Sequence, residues 1–212
     1  MRIGILGSGL MGAKLGTIFS RAGHDVCFSY SRSEAKLKKL AREADAKAGT
    51  PRDAAHDAEL VLIAVHWSKI DDVLQQAGDL SGRVILTCSL PMNDDDSGLV
   101  IGHTSSGAEE LAKKVRGGAV VAAFQTVPSE VLFDVFESRR RKNRPSLVYC
   151  GDDKRAKKVV ATLIRDVGFE PFDLGGLHLA RYTEPFALLV AAIAYEDKRG
   201  PEMAYRFEWG KQ

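Results

Sequence analysis

The residues best placed for chemistry stand just after short apolar runs. Gly7, Ser8, Gly9, Leu10, Met11 and Gly12 follow the run Ile3–Leu6, and Met11, Leu15, Ile18 and Phe19 then recur at helical spacing. That is a strand, a tight turn and a helix, with the glycines inside the turn. Gly7 permits the sharp exit from the strand. Gly9, without a Cβ, lets the backbone approach a pyrophosphate, and Gly12 lets helix and strand pack closely. The first amides of such a helix point at an anion, and the helix dipole adds to the attraction. The glycine spacing alone is a weak signal. Its place between a strand and a helix makes it a dinucleotide fingerprint.

About 20 positions beyond such glycines a carboxylate usually binds the ribose 2′-hydroxyl. Here no carboxylate precedes Glu34 in the run that follows Asp25–Tyr30. Ser31, Arg32, Ser33 and Lys36 stand there instead. Hydroxyls, a guanidinium and an ammonium suit a dianion, which favours NADP over NAD. The bland alternative makes Arg32 and Lys36 solvated charges and Ser33 a helix cap.

Other candidates follow later apolar runs. Ala64, Val65, His66 and Trp67 come at or after the end of Leu60–Val65, beside the expected nicotinamide half of the cofactor. His66 could orient an acceptor or supply a proton, or be a plain strand-end residue. Ser89 and Pro91 mark the end of Val84–Leu90. Gln125 and Thr126 follow Ala119–Phe124 and are good donors for an amide or a ring carbonyl. With His66 they are the predicted catalytic set, meeting negative charge as it arrives on an acceptor. Asp94, Asp95 and Asp96 do not converge on one ion, so a solvated loop is expected and no metal site. The basic run Arg139–Arg144 reads as a solvated face, or as a receiver for an anionic tail or acidic partner. No nucleophile elbow, HExxH or Cys/His metal spacing is present, which leaves the hard chemistry to cofactors.

Positioning these residues takes strands and helices in alternation. Strands are predicted at Ile3–Leu6, Asp25–Tyr30, Ala46–Ala48, Leu60–Val65, Val84–Leu90 and Ala119–Phe124. Helices carry Leu37, Leu40, Ala41 and Ala44; Ile70, Val73, Leu74 and Ala77; and about Gly107–Val115. This rhythm implies an α/β fold with a Rossmann-type, doubly wound parallel sheet. Ligands then sit at the carboxyl ends of the strands. After Gln125 the pattern loosens into a helix (Pro128–Glu137), a strand (Ser146–Cys150), a helix (Lys154–Val167), a short strand (Glu170–Leu174) and an apolar helix (Leu177–Tyr195). The expected division is a nucleotide-binding domain over 1–125 and a small C-terminal α/β lobe over 126–212. The lobe would close the acceptor cleft.

Several stretches resemble the deazaflavin-dependent NADP reductases (NADP oxidoreductase, coenzyme F-420-dependent). They are ILGSGLMG, SRSEAK, LVLIAVHW, SGLVIGHTSSGAEELAKKV, VVAAFQTV, VYCGDDKRAKKVVATLIRDVGFEP and DLGGLHLARYTEPFALLVAAIAY. The likeness covers nearly the whole chain. It implies NADPH in the N-terminal lobe and an acceptor ring between the lobes. It puts Ser31, Arg32 and Lys36 at the 2′-phosphate and Thr104, Ser105, Gly107 and Ala108 in a loop-to-helix segment. Two departures lie where an acceptor would be recognised. Gln125 stands where the family usually has Asn, and SLPMNDDDSG replaces the commoner Asn-Pro form. Coenzyme F-420 (8-hydroxy-5-deazaflavin), FMN or FAD could therefore be the small-molecule acceptor, and relatives of the fold serve ferric reduction through a flavin. A non-catalytic NADPH sensor and an imine or keto-acid reductase are the competing readings. The stretch after 125 is short for the helical substrate domain that the reductases of the last kind commonly use.

Bulk properties bound the rest. The 212 residues are 45% hydrophobic and 27% charged, an ordinary globular balance, and a net charge of +2 does not by itself imply nucleic acid. No apolar run reaches the ~18 residues of a membrane span. The chain opens directly on a strand, which speaks against a signal peptide. Cys27, Cys88 and Cys150 are far apart in apolar runs and read as reduced thiols of a cytoplasmic protein. The last helix carries Phe186–Ile193 without interruption by a polar residue, apolar all round, which suggests a homodimer contact.

Overall fold

The computed structural model describes residues 1–210. The chain begins with strand β1 (Arg2–Leu6), helix α1 (Leu10–Arg21), strand β2 (Asp25–Ser29), helix α2 (Glu34–Glu43) and strand β3 (Lys47–Ala48). Helix α3 (Pro51–His56) follows, which the apolar pattern did not predict. Its ends make it: Thr50 and Asp53 form a reciprocal capping box, and Pro51 sits in the first turn. Then come β4 (Leu60–Ile63), α4 (Ile70–Ala77), β5 (Val84–Thr87), α5 (Gly107–Lys114) and β6 (Ala119–Ala123). Strands predicted to reach Val65, Leu90 and Phe124 stop at Ile63, Thr87 and Ala123. The residues beyond leave the ladder to form the carboxyl end of the sheet. After β6 come α6 (Leu132–Glu137), β7 (Ser146–Gly151), α7 (Lys154–Val167), β8 (Glu170–Asp173) and α8 (Ala180–Glu196).

The eight strands form one sheet in the order β3-β2-β1-β4-β5-β6-β7-β8. The strand order reverses between β1 and β4, the doubly wound arrangement predicted. The sheet is parallel except at one pair beyond residue 125. β7 pairs antiparallel with β6, and β8 lies parallel to β7. Helix α6, at six residues, is only about 9 Å long and does not carry the chain back to the start of β6. β7 therefore begins at the end where β6 stops. The division near residue 125 falls inside this sheet, whose strands beyond it add to one edge. One buried cluster joins Ile3, Phe19 and Phe28 to Leu147, Val160 and Phe169. Both faces are covered, so β4 is buried along its whole length.

Candidate functional site

Gly7 leaves β1 at φ +112°, a conformation that disfavours any side chain. A Cβ at Gly7 would sit 2.3 Å from the Ala64 carbonyl oxygen, and one at Gly12 1.8 Å from the Gly7 carbonyl oxygen. Gly9 is different: nothing lies within 4 Å of a Cβ built there. Packing needs Gly7 and Gly12, whereas the space at Gly9 is open to whatever enters from outside. Gly9 also begins α1, with no side-chain cap and no acidic residue in the first turn. The leading amides of this helix are available to an anion. Gly7 N donates to Ser29 O at 3.2 Å, and Ser8 N donates to Tyr30 O at 3.3 Å. The Ser8 hydroxyl donates to Ser29 O at 2.8 Å. Ser8 therefore shapes the turn and stitches it to the end of β2.

Tyr30 turns the chain out of β2 at φ +55°. Its hydroxyl donates to Asp72 on α4. Burial, and then this bond, push the Tyr30 hydroxyl up to about 12. The loop it anchors holds Ser31 to Lys36. Ser33 Oγ accepts from Lys36 N at 3.3 Å and caps α2, and Ser33 N donates to Ser31 Oγ at 3.3 Å. The helix-cap reading of Ser33 is right as far as the cap goes. Arg32 and Lys36 are exposed. Glu34 pairs with Lys38 at 2.5 Å. No ion pair within 4 Å involves Arg32 or Lys36 among the described residues.

Ala64 and Val65 form the other wall of the glycine turn, and the Ser89 hydroxyl donates to Val65 O at 2.7 Å. His66 starts a 3-10 turn, Trp67–Lys69. Its Nδ1 lies 2.9 Å from Ser68 Oγ, and Nε2 lies 3.2 Å from both Asn93 O and Asp96 Oδ1. Nδ1 thus serves the local turn, and Nε2 ties the end of β4 to the 91–106 loop. Trp67 is half-buried against the core. Pro91 is buried against the first turn of α5, where a Cβ at Gly107 would meet its ring at 2.9 Å. Asp95 accepts from Ser97 N at 3.2 Å in an exposed loop.

Beside the glycine turn lies a cleft of about 250 Å³. Leu10 and Met11 of α1, Cys88 and Leu90 after β5, Gln125, Val127, Pro128 and Ser129 after β6, and Ala187, Val190 and Tyr195 of α8 contribute to its walls. Burial pushes the Cys88 thiol up to about 12, which keeps it neutral. Gln125 is only 9% exposed. Its Nε2 is, among the described residues, the one buried side-chain nitrogen or oxygen without a hydrogen-bond partner. Thr126 Oγ1 is engaged with the Tyr205 hydroxyl at 2.7 Å. At the rim Tyr195 donates to Glu130 at 3.0 Å, and Lys14 Nζ donates to Ser129 O at 3.0 Å. The structure thus brings Leu10, Met11 and Gln125 to one cleft and turns the side chains of Thr126 and His66 to internal partners.

The sequence reading missed Glu184. Its carboxylate, 1% exposed on α8, accepts from Gly107 N at 2.9 Å and Ala108 N at 3.0 Å, across the start of α5. Burial pushes this carboxyl up to about 7 against the opposing pull of the two amides. Arg181 holds Glu109 bidentately, at 2.8 and 2.7 Å, beside it. The signal was present as a lone carboxylate inside an apolar helix, YTEPFALLV. Of the family-derived segment, Gly107 and Ala108 thus serve this clamp, Ser105 donates to Glu110 at 2.5 Å, and Thr104 is exposed. The basic run borders a larger cleft of about 930 Å³, whose lining includes Asp134, Glu137 and Glu202 as well as Arg140 and Arg141. Helix α8 buries Ala187, Val190 and Ala194 and exposes Tyr182, Leu189 and Ile193, so only one of its apolar sides is covered in this chain. Among the described residues no helix is long and apolar enough to cross a membrane.

A glycine-rich turn at the switch point of a doubly wound sheet, with free cations after the second strand, defines a Rossmann-type dinucleotide-binding protein. Residues 2–91 match the model of the family NADP oxidoreductase, coenzyme F420-dependent, and the resemblance read from the motifs is borne out as an NADP oxidoreductase one. The chain is 27% identical over 173 residues to the F420-dependent NADP reductase of Methanocaldococcus jannaschii, covering 76% of this chain and 74% of that one. It is 28% identical over 187 residues to metalloreductase STEAP3 of Rattus norvegicus, covering 88% of this chain and 36% of that one. The chain thus spans about a third of the metalloreductase's length. In fold it matches the crystal structure of a candidate F420-dependent NADP-reductase from Arthrobacter sp. fb24. The TM-score is 0.87 at 22% identity, over 99% of this chain and 100% of that one.

Proposed function

We propose that the protein transfers a hydride between NADPH and a tricyclic acceptor, a deazaflavin or flavin. NADPH lies along Gly7–Gly12, its 2′-phosphate on Arg32 and Lys36, its nicotinamide toward the Gln125 cleft. The reduced nicotinamide supplies the hydride. The protein supplies orientation, a dry wall and a donor.

The observation that carries the acceptor reading is the unpartnered Gln125 amide in an apolar cleft. A buried donor without a partner costs about 1–3 kcal/mol, which a ring carbonyl entering the cleft recovers. Among the described residues the cleft wall holds no carboxylate or cation to fix a keto acid or an iminium ion, Lys14 and Glu130 lying at the rim. This supports a tricyclic acceptor over the imine and keto-acid alternatives. Similarity to the metalloreductase favours ferric reduction through a flavin as a second reading. The internal engagement of His66 and Thr126 favours the sensor reading, in which NADPH binds without turnover. A cytoplasmic setting fits three free cysteines. The uncovered side of α8 supports a two-fold homodimer, for which light scattering at micromolar concentration is the check.

The deciding experiment follows loss of reduced-nicotinamide absorbance with coenzyme F420, FMN, FAD and a ferric chelate. Turnover is expected with a deazaflavin or flavin. Gln125→Leu should slow it about tenfold, roughly 1.4 kcal/mol of barrier, at unchanged NADPH affinity. Tight NADPH binding without turnover on any acceptor would leave the sensor reading standing in its place.

A further inference from the structure

The β6–β7 ladder pairs Val121 with Gly151, Ala122 with Cys150 and Ala123 with Tyr149. Continued in register, Phe124 would face Val148 and Thr126 would face Ser146. The ladder does not continue. Phe124 takes φ +68°, a left-handed conformation costly for an aromatic residue, and the chain turns away with Gln125 lining the cleft. The β7 amides that lose their partners are taken up by one residue from the far end of the chain. Ser146 N donates to Tyr205 O at 2.8 Å, and Val148 N donates to the Tyr205 hydroxyl at 3.4 Å. The same hydroxyl meets Thr126 Oγ1 at 2.7 Å.

The rest of the tail fastens Tyr205 there. Phe207 N donates to Ser146 Oγ at 2.8 Å. Phe186, Tyr205, Phe207 and Phe172 form a chain of edge-on aromatic contacts, with centroids 5.3–5.4 Å apart. Residues 124–128 are buried yet lie outside any helix or strand. A buried segment without a ladder depends on whatever side-chain ties it has, and Thr126 to Tyr205 is the one recorded from these residues among those described.

We propose that Tyr205 is a positioning residue for the acceptor site. It replaces the ladder partners that β6 gives up, pins Thr126, and so holds the turn that presents Gln125. The proposal rests on the reading of the Gln125 cleft as the acceptor site.

The test uses the full chain and two readouts. Tyr205→Phe keeps the ring and removes the hydroxyl, and Thr126→Val removes the other half of the bond. Both should lower kcat about tenfold with whichever of coenzyme F420, FMN or FAD the unmodified protein reduces fastest, with KM for NADPH unchanged. Thr126→Ser should restore the rate. The second readout needs no turnover: the assigned side-chain amide signals of Gln125 should shift in Tyr205→Phe and stay in place in Thr126→Ser. Unmoved Gln125 signals in Tyr205→Phe would overturn the proposal. So would full kcat in Tyr205→Phe where Gln125→Leu is slow. If Gln125→Leu keeps full rate while the signals shift, Tyr205 still positions the turn, and it is the acceptor reading that falls.

Discussion

At the proposed nucleotide end, two short runs carry the site: Gly7–Gly12, and Ser31–Lys36 after the next strand. Their binding groups are backbone amides and exposed cations. At the proposed acceptor end the walls come from α1, the ends of β5 and β6, and α8, tied by Glu184 and Tyr205 from the last thirty or so positions of the chain. One end is local in sequence and open to solvent, whereas the other is assembled from distant segments and buried. A local site survives changes elsewhere and fails only when its own residues change. An assembled site also fails when its clamps are loosened.

The sharpest way to break that contrast is at the glycines. Gly9→Val should fold with the melting temperature of the unmodified protein, because its Cβ meets nothing, yet lose NADPH affinity by more than about a hundredfold, or ~2.7 kcal/mol. Gly12→Ala should do the opposite first, destabilising the fold by about 1–3 kcal/mol or more through overpacking on the Gly7 carbonyl. Calorimetric titration and thermal melts separate the two. Tight NADPH binding by Gly9→Val would mean that the turn is not a pyrophosphate site.

Next in size is Arg32→Ala. Loss of a charge-assisted contact should weaken NADPH by about 1.5–3 kcal/mol and leave NADH nearly unchanged. Equal losses for both nucleotides, measured by titration, would remove the 2′-phosphate assignment.

The shallowest change, spread over more than two pH steps, concerns the clamp at Glu184. Its folded carboxyl titrates at about 7 against an ordinary 4.5. The folded state therefore holds the proton more tightly across that interval. The contribution to stability is full below about 4.5 and is lost as pH rises to about 7, by at most about 1.4 kcal/mol per pH step. Arg181 and Glu109 face the same spot, and Glu109, a like charge, adds to the upward push. Urea melts from pH 5 to 8 should fall more steeply for the unmodified protein than for Glu184→Gln, while NADPH affinity stays level. Parallel curves would mean that the two α5 amides outweigh burial and the carboxylate stays charged.

Much of this protein is written in local pattern. The apolar runs marked β1, β2, β4, β5 and β6, and the glycine spacing placed the turn between β1 and α1. A cap such as Ser33 and a cation pair such as Arg32 and Lys36 depend on neighbours a few positions away. Helix α3 escaped because its signal is a capping box on an element too short to show a stripe. The antiparallel β7 escaped because periodicity carries no direction; the shortness of α6 decided it.

The acceptor end shows what pattern could not carry. Gln125 and Thr126 were both legible as donors after a strand, yet one is left unpartnered and the other is tied to Tyr205, 79 positions away. His66 was legible as a strand-end histidine, but its ring is spent on Ser68, Asn93 and Asp96. Glu184 stood out only as a lone charge in an apolar helix until folding set it against two amides of α5. Sequence alone determined most of the elements and the glycine turn, because those rest on backbone conformation and near-neighbour hydrogen bonds. Tertiary structure decided which candidate donors remain free, because a hydrogen bond is claimed by whatever partner the fold brings within reach.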